Sequence, residues 1–404
     1  MYYLRWLTSK TVRRTAELID TVEKILNHQR DVLPSDNVQR IETALAETRR
    51  IIRSDAPVKS IEEQATKLED TANAWLRQYP SANVREYVLM FLEIAVLILG
   101  SRAFLIQPMV IPTGSAQPTL WGITTETLKG TKDQAVPALP GRLWDLFIKG
   151  DAYLWADAET SGPLNAVGRP SMVIPFVPFF NKATVVIGGV PQTLWFVPDD
   201  FGPRFGLTDM RWNPVEKSFK KGEPIVREKL RSGDHLFVER VTYNFRRPQR
   251  GETIVFRSEE HPGMTAHTHY IKRLVGLGGE RLRIGDDRHT YVNGRALTTN
   301  DYGFEHVFAF DPKRKPEPNV YSGHVNGTVW RWARDGAWGP TANFPDEKTE
   351  VQVRPGHYVC FGDNTMNSAD SRYWGEPDFP QERVIGKSCF VFWPFTERWG
   401  WGRR

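Results

Sequence analysis

The sequence is poor in cysteine: its 404 residues hold only Cys360 and Cys389. That excludes a disulfide framework and a CxxC metal site. Each cysteine sits in a short apolar run, HYVCFG or KSCFVFW. The reading is two buried free thiols, with one cross-strand bridge as the alternative in an oxidising compartment. A strong charge bias is also missing, since 53 Lys and Arg stand against 48 Asp and Glu. A nucleic-acid binder concentrates its basic excess in one stripe. Here the densest basic stretch, KSFKKGEPIVREKLR at 217–231, also carries Glu223 and Glu228. It reads as a solvated face, with contact to an anionic membrane as the sharper alternative, and no nucleic-acid partner is expected. Internal repeats and low-complexity tracts are absent. The opening MYYLRWLTSKTVRR has too short an apolar run before its charges to be a cleavable signal peptide.

What is present is a globular composition, 40% hydrophobic and 25% charged, long enough for two or three domains. Residues 1–82 carry three helical stripes: Leu18, Val22, Ile25 and Val32; Val38, Ile41, Leu45 and Ile52; Ile61, Ala65, Leu68 and Leu76. Pro34 and Pro57 separate them, and Ser60 with Glu63 fits a capping box at the third start. A helical hairpin or bundle is expected, packed within the chain or self-associating. Next comes YVLMFLEIAVLILGSRAFLI, residues 87–106, within a transmembrane helix placed at 83–107. Twenty residues at the helical rise cover about 30 Å, the thickness of a hydrocarbon core. Twelve are Leu, Ile, Val or Phe, together worth roughly −4 to −7 kcal/mol on an insertion scale. Glu93 costs about 2.5–3.5 kcal/mol of that, and Arg102 lies near enough the end to snorkel. Lys67, Arg77 and Arg85 precede the span, whereas no Lys or Arg follows from 103 to 128. The positive-inside rule then puts the N-terminal helices in the cytosol and residues 108–404 outside.

Beyond 107 the texture becomes mostly β: short alternating runs such as HLFVERVTY, ETIVFR, YIKRLVGL and CFVFW between Gly, Pro and Asn. The chain enters this region through VIPTGSAQPTL, residues 110–120, which sets Ser115 between Pro112 and Pro118. A linker would have this composition, and so would a stiff turn presenting a nucleophile. A serine nucleophile needs a base, and nine histidines leave a Ser-His-Asp arrangement open. His267 and His269 would share one strand face, with Thr268, Tyr270 and Lys272 on the other. An H-x-H pair alone is a weak metal signal, and neither metal nor cofactor is expected. Lys272 lies in an apolar strand; if buried, it loses its charge more easily and offers a neutral amine to Ser115. In FGDNTMNSADSRYWG, residues 361–375, an Asx-rich turn ends in Asp370 and Arg372, which can tie the loop down through charge-assisted bonds.

A membrane span, then IPTGSAQPTL, GDHLFVERVTY, YIKRLVGLGGE, FGDNTMNSADSRYWG and VFWPF, in that order, resembles bacterial type I signal peptidase. The blocks cover roughly 85–121, 231–297 and 355–395. The resemblance implies a membrane-anchored Ser/Lys endopeptidase on a β-rich fold, with one transmembrane helix and a cytosolic helical region. The resemblance also implies a place in a bacterial inner membrane with the catalytic domain outside. Preproteins bearing signal peptides, membrane lipids and the secretion translocon are the implied partners. Residue by residue, Ser115 falls on the nucleophile and Lys272 on the general base. Thr113 with the Ser115 N–H falls on the oxyanion hole, and Ser368 on the serine that bonds the lysine. Arg273, Gly362, Asp370 and Arg372 fall on supporting positions, and Tyr270 and Ala116 on the substrate pocket. The sequence departs from the family at Ala116, usually Met, at Thr365 and Met366, usually Arg-Asp, and at Gly278, which is expected to loosen its turn. About a hundred residues, 122–230, intervene where the family has few, and 298–354 falls on a variable cap. The insert is expected to form an accessory β subdomain, a membrane lip or a partner surface. Three other readings stay open at this level: a specialised processing peptidase with the insert as selector, a non-catalytic membrane-tethered scaffold, and a soluble self-cleaving Ser/Lys repressor.

Overall fold

The computed structural model describes every residue except 1–4, 7, 78–81, 174–180, 335 and 402–404. The chain divides into two units, 1–97 and 98–404. In the first, helices α1 (Lys10–Gln29), α2 (Ser35–Arg53) and α3 (Val58–Trp75) pack pairwise into a bundle. Val12, Ile19, Val22 and Leu26 meet Ile41, Leu45 and Ile52 and also Ile61, Leu68 and Ala72. The amphipathic faces are thus satisfied inside the chain. Two expectations need correction. The buried stripe of α1 keeps the expected Val22 but runs through Ile19 and Leu26; Leu18 packs at its edge, Ile25 is not in the core, and Val32 is 57% exposed because the helix stops at Gln29. The capping box at Ser60 does not form. Pro57 starts α3, and the Ser60 N–H already bonds the Pro57 carbonyl inside the first turn.

Helix α4 (Ala82–Phe104) contains a window, Glu86–Phe104, of mean hydropathy 1.8 with none of it buried. Successive residues Val96, Leu97, Ile98 and Leu99 are each more than half exposed, so the helix is apolar on all sides. It is long and apolar enough to cross a membrane. It ends at Phe104, and Ile106 already begins a strand. The last residues assigned to the span therefore belong to the β region.

Eight strands form the main sheet: β1 (Ile106–Val110), β2 (His235–Glu239), β3 (Thr253–Arg257), β4 (His269–Leu277), β5 (His357–Phe361), β6 (Phe379–Pro380), β7 (Val384–Trp393) and β8 (Gly400–Trp401). Their order is β1-β2-β7-β3-β4-β5-β6, all antiparallel, with β8 on β7. Strand alternation sends Val255 into a cluster with Leu236, Val238, Val391, Ala116 and Leu120, while Ile254 and Phe256 join Leu274, Cys360, Trp374 and Phe379. Both thiols are free. His267 lies before β4 with φ 55°, not in the strand, so it shares no strand face with His269. Residues 298–354 are largely irregular around one helix, Gly327–Ala333. They close a core of Phe304, Phe308 and Phe344 against Val359 and Phe361. Gly278 does not loosen its turn: a Cβ there would meet the Gly356 nitrogen at 2.8 Å, so the chain passes close and tight.

The long insert folds as β structure with its own core. Strands Thr124–Thr127, Pro224–Arg231 and Asp151–Asp157 form one sheet in that order. Gly162–Val167, Asn181–Ile187 and Val190–Trp195 form most of a second. Leu154, Val185, Ile187, Phe201 and Leu230 are buried together between them. The Pro-rich segment 174–180 lies outside the described residues. In the basic stretch, Arg227 pairs with Asp157, and Lys229 and Arg231 pair with Asp151, so these charges are matched within the insert.

Candidate active site

Ser115 and Lys272 are 157 residues apart in sequence and meet in space. Ser115 sits in a single 3-10 turn, Gly114–Ala116, which begins four residues beyond the end of β1. Lys272 stands on β4, a strand paired on both sides, by β3 and β5. Its side chain is buried, 3% exposed. Its Nζ lies 2.5 Å from Ser115 Oγ. Burial pushes the Lys272 amine down to about 8, against a smaller opposing pull from the carboxylate of Asp370. The nine histidines offer no competitor, since the hydrogen-bond partner of Ser115 Oγ among the described residues is Lys272.

Gly362, at the end of β5, lets the 361–375 loop approach the serine. A Cβ there would lie 2.4 Å from the Ser115 carbonyl oxygen and 2.1 Å from Ser368 Oγ. Asp370 accepts the Gly362 N–H at 2.8 Å and forms a two-pronged pair with Arg372, at 2.9 and 2.7 Å. Both are fully buried. Burial alone would raise the Asp370 carboxyl, but Arg372 and these hydrogen bonds hold it below its usual range. Thr365, at the position usually held by Arg, accepts from Arg372 at 2.7 Å and from the Val325 N–H at 3.0 Å. Met366 packs with Val325, Val329 and Ala333. The departure from the usual Arg-Asp pair is thereby absorbed by a hydroxyl and an apolar contact.

Arg273, next to Lys272, points to the opposite face of β4. It grips Asp363 through two bonds of 2.7 and 2.5 Å and donates to the Gly251 carbonyl at 2.8 Å. Asp363 in turn accepts from Thr119, five residues after Gly114. Asn364 holds the serine turn from the other side: its N–H donates to the Ser115 carbonyl at 3.2 Å and its Nδ2 to the Gly114 carbonyl at 2.8 Å. It also exchanges bonds with Asn319 of the cap. Asp363, Asn364, Thr119 and Asn319 were not singled out from the sequence. Asp363 and Asn364 lay in plain view inside an Asx-rich turn, but only the β4–β5 register shows what they reach.

Thr113 is exposed, extended, and its hydroxyl has no hydrogen-bond partner among the described residues. The insert is rooted against it. The chain leaves at Gly122, where a Cβ would meet the Thr113 carbonyl at 2.3 Å, and returns at Gly233, where one would meet the Ile111 carbonyl at 1.8 Å. Tyr270 packs on Phe256 and Trp374, and its ring lies 5.8 Å from Lys272 Nζ. Two assigned positions need correction. Ser368 is buried, yet its hydroxyl has no hydrogen-bond partner among the described residues. The expected bond to Lys272 is therefore not made, because the amine is engaged by Ser115 and Ser368 Oγ packs on Gly362. Ala116 is 4% exposed and packs into the core with Ile111, Leu236 and Val391. It backs the serine from inside, where its methyl is part of the core.

The family model "Signal peptidase, peptidase S26" matches residues 224–393. Signal peptidase I T of Bacillus subtilis is 30% identical over 168 residues, 42% of this chain and 69% of the relative. The chain belongs to the signal peptidase family. Signal peptidase I of Pseudomonas fluorescens is 29% identical over 193 residues, covering 40% of this chain and 60% of its own length. A probable signal peptidase I-2 of Synechocystis is 27% identical over 166 residues, covering 41% and 57%. The chain thus spans less than two thirds of the length of these two signal peptidases. The match to the family model begins at Pro224, the first residue of the strand that leads out of the insert.

Proposed function

We propose that this protein is a serine endopeptidase that cleaves signal peptides from preproteins at a membrane surface, with Ser115 as nucleophile and Lys272 as general base. The observation that carries the reading is the 2.5 Å approach of a buried amine, with its proton affinity lowered to about 8, to a serine hydroxyl. In the neutral amine the nitrogen lone pair accepts the Ser115 proton as Oγ attacks the scissile carbonyl carbon. The oxyanion is met by the Thr113 hydroxyl and the Ser115 N–H, each such donor worth roughly 3–4 kcal/mol. The tetrahedral intermediate collapses as the Lys272 ammonium protonates the leaving amine, and an acyl-enzyme remains. A water then attacks, giving its proton to Lys272, and Ser115 is restored when the ammonium returns that proton to Oγ. Ser368 is the hydroxyl left free to accept from Lys272 once Ser115 is acylated. Tyr270 forms a wall of the substrate site, and Arg273, Asp370, Arg372 and Gly362 fix the two loops that meet at the serine.

In this reading α4 spans a bacterial inner membrane once, with the bundle in the cytosol and residues 108–404 outside. The apolar circumference of α4 supports it, as does the basic flank that precedes the helix. The test is incubation of purified protein with a preprotein and sequencing of the mature N-terminus. Ser115→Ala and Lys272→Ala should each lower processing by roughly 10⁴-fold or more; full activity in either variant sinks the proposal. The base works only when neutral. Wild-type kcat/KM should therefore rise about tenfold per pH unit up to about 8 and then level.

A further inference from the structure

Among the described residues the insert leaves two sheet edges unpaired, and they line the same groove. One edge is Asp151–Asp157, the outer strand of the three-stranded sheet. The other is Val190–Trp195, which among the described residues pairs only with Asn181–Ile187. The groove holds about 440 Å³, and its walls are continuous runs of both strands, 154–157 and 192–196. The ladders determine which backbone groups face it. The Arg227 carbonyl accepts from Leu128, on the far side of the sheet. Trp155, opposite Arg227, therefore turns its own N–H and C=O outward, into the groove. Likewise the Thr184 carbonyl accepts from Gly168, away from Val190–Trp195, so Thr193 opposite it faces outward, and Trp195 two residues on does the same. At one end the Gln192 side chain closes the groove. Its Nε2 donates to the Asp157 carbonyl at 2.9 Å and its Oε1 accepts from the Glu159 N–H at 3.2 Å. A side-chain amide there does the work of a peptide group.

Two facing edges with outward N–H and C=O groups suit an extended polypeptide, whose peptide groups alternate between its two sides. Trp155 and Trp195 add apolar flanks. The insert that carries the groove is rooted on the backbone of Ile111 and Thr113, beside the serine turn. We infer that the groove is a strand-addition site for the extended polypeptide of the preprotein, outside the residues that reach Ser115. The inference rests on the peptidase reading above. It makes the insert a second point of hold on a substrate that the dyad alone would grip only at the cleaved bond.

The test uses the full chain with two substrates: a preprotein, and a short peptide limited to the residues around the cleaved bond. Thr193→Pro removes an outward N–H and fills the edge without breaking a ladder bond, and Pro191 already occupies the same outward phase two residues earlier. The expected result is a roughly two- to tenfold higher KM for the preprotein, with kcat and the short-peptide kcat/KM unchanged. In Ser115→Ala, added preprotein should slow hydrogen exchange at the Trp155 and Trp195 amides, and Thr193→Pro should remove that protection. If Thr193→Pro unfolds the insert, the exchange comparison on the otherwise native insert decides alone. Equal exchange with and without preprotein, or an unchanged KM, overturns the groove site. Protection that needs no preprotein and grows with protein concentration assigns the groove to a second copy and also overturns it. Cleavage of neither substrate by wild type overturns the peptidase reading and this one with it.

Discussion

The insert and the sheet around Ser115 belong to one unit and are built on different terms. The insert closes over Leu154, Val185, Ile187, Phe201 and Leu230, and its ion pairs keep a partner at the surface; Arg227 and Asp157 are 31% and 33% exposed. Around the serine the chain buries charge: Asp370 with Arg372 at 0% exposure, Arg273 with Asp363 at 1% and 4%, and Lys272 beside them. A stable β subdomain needs only the first arrangement. The second costs desolvation that well-packed apolar residues would avoid. It holds a lysine and a serine at one separation with both loops locked. Both members of a pair are therefore buried where position matters, and one keeps contact with water where it does not.

The comparison breaks most visibly at Arg273. Arg273→Ala leaves Asp363 charged and buried, and should cost about 3–5 kcal/mol, read as faster hydrogen exchange of β4 and β5 amides with the insert unaffected. Equal loosening of both regions would show that they are not separately built. Next is Lys272→Met, which should stabilise the same strands at neutral pH by on the order of 3 kcal/mol. The sign follows from the folded amine sitting at about 8, below its unfolded value of 10.5. The folded state thus holds fewer protons, its penalty is complete below about 8, and it fades as pH rises toward 10.5. The gain in Lys272→Met should fade over that same range; a gain independent of pH would mean that packing, not charge, is the cause. Gly362→Ala forces a methyl against the Ser115 carbonyl and Ser368. It should cost about 1–3 kcal/mol and lower kcat more than it raises KM. The smallest effect belongs to the insert: Arg227→Ala should cost under about 1 kcal/mol and leave exchange near Ser115 unchanged.

Much of the site was legible because its chemistry is concentrated in short blocks. A serine between prolines, a lysine in an apolar strand and an Asx-rich loop ending in Asp370 and Arg372 are each visible within about fifteen residues. What was not legible is which of their neighbours touch. Ser368 lies in the right loop, yet its hydroxyl meets Gly362 and not Lys272. Ala116 is adjacent to the nucleophile, yet the turn points it into the core. Asn364 and Asp363 looked like turn formers and prove to hold the serine turn and Arg273. The stripe of α1 was misplaced because Leu18 and Ile25 alternate with Ile19 and Leu26 as near-equal apolar candidates, and only packing against α2 and α3 chooses between them.

The sequence by itself determined the local periodicities: three amphipathic helices, one uniformly apolar helix, and a β-patterned remainder, because burial on one face or all faces is written in residue spacing. The tertiary structure alone decided the register of β4 between β3 and β5. That register turns Lys272 toward Ser115 and Arg273 away from it, since neighbouring strand residues take opposite faces and a slip of one would exchange them.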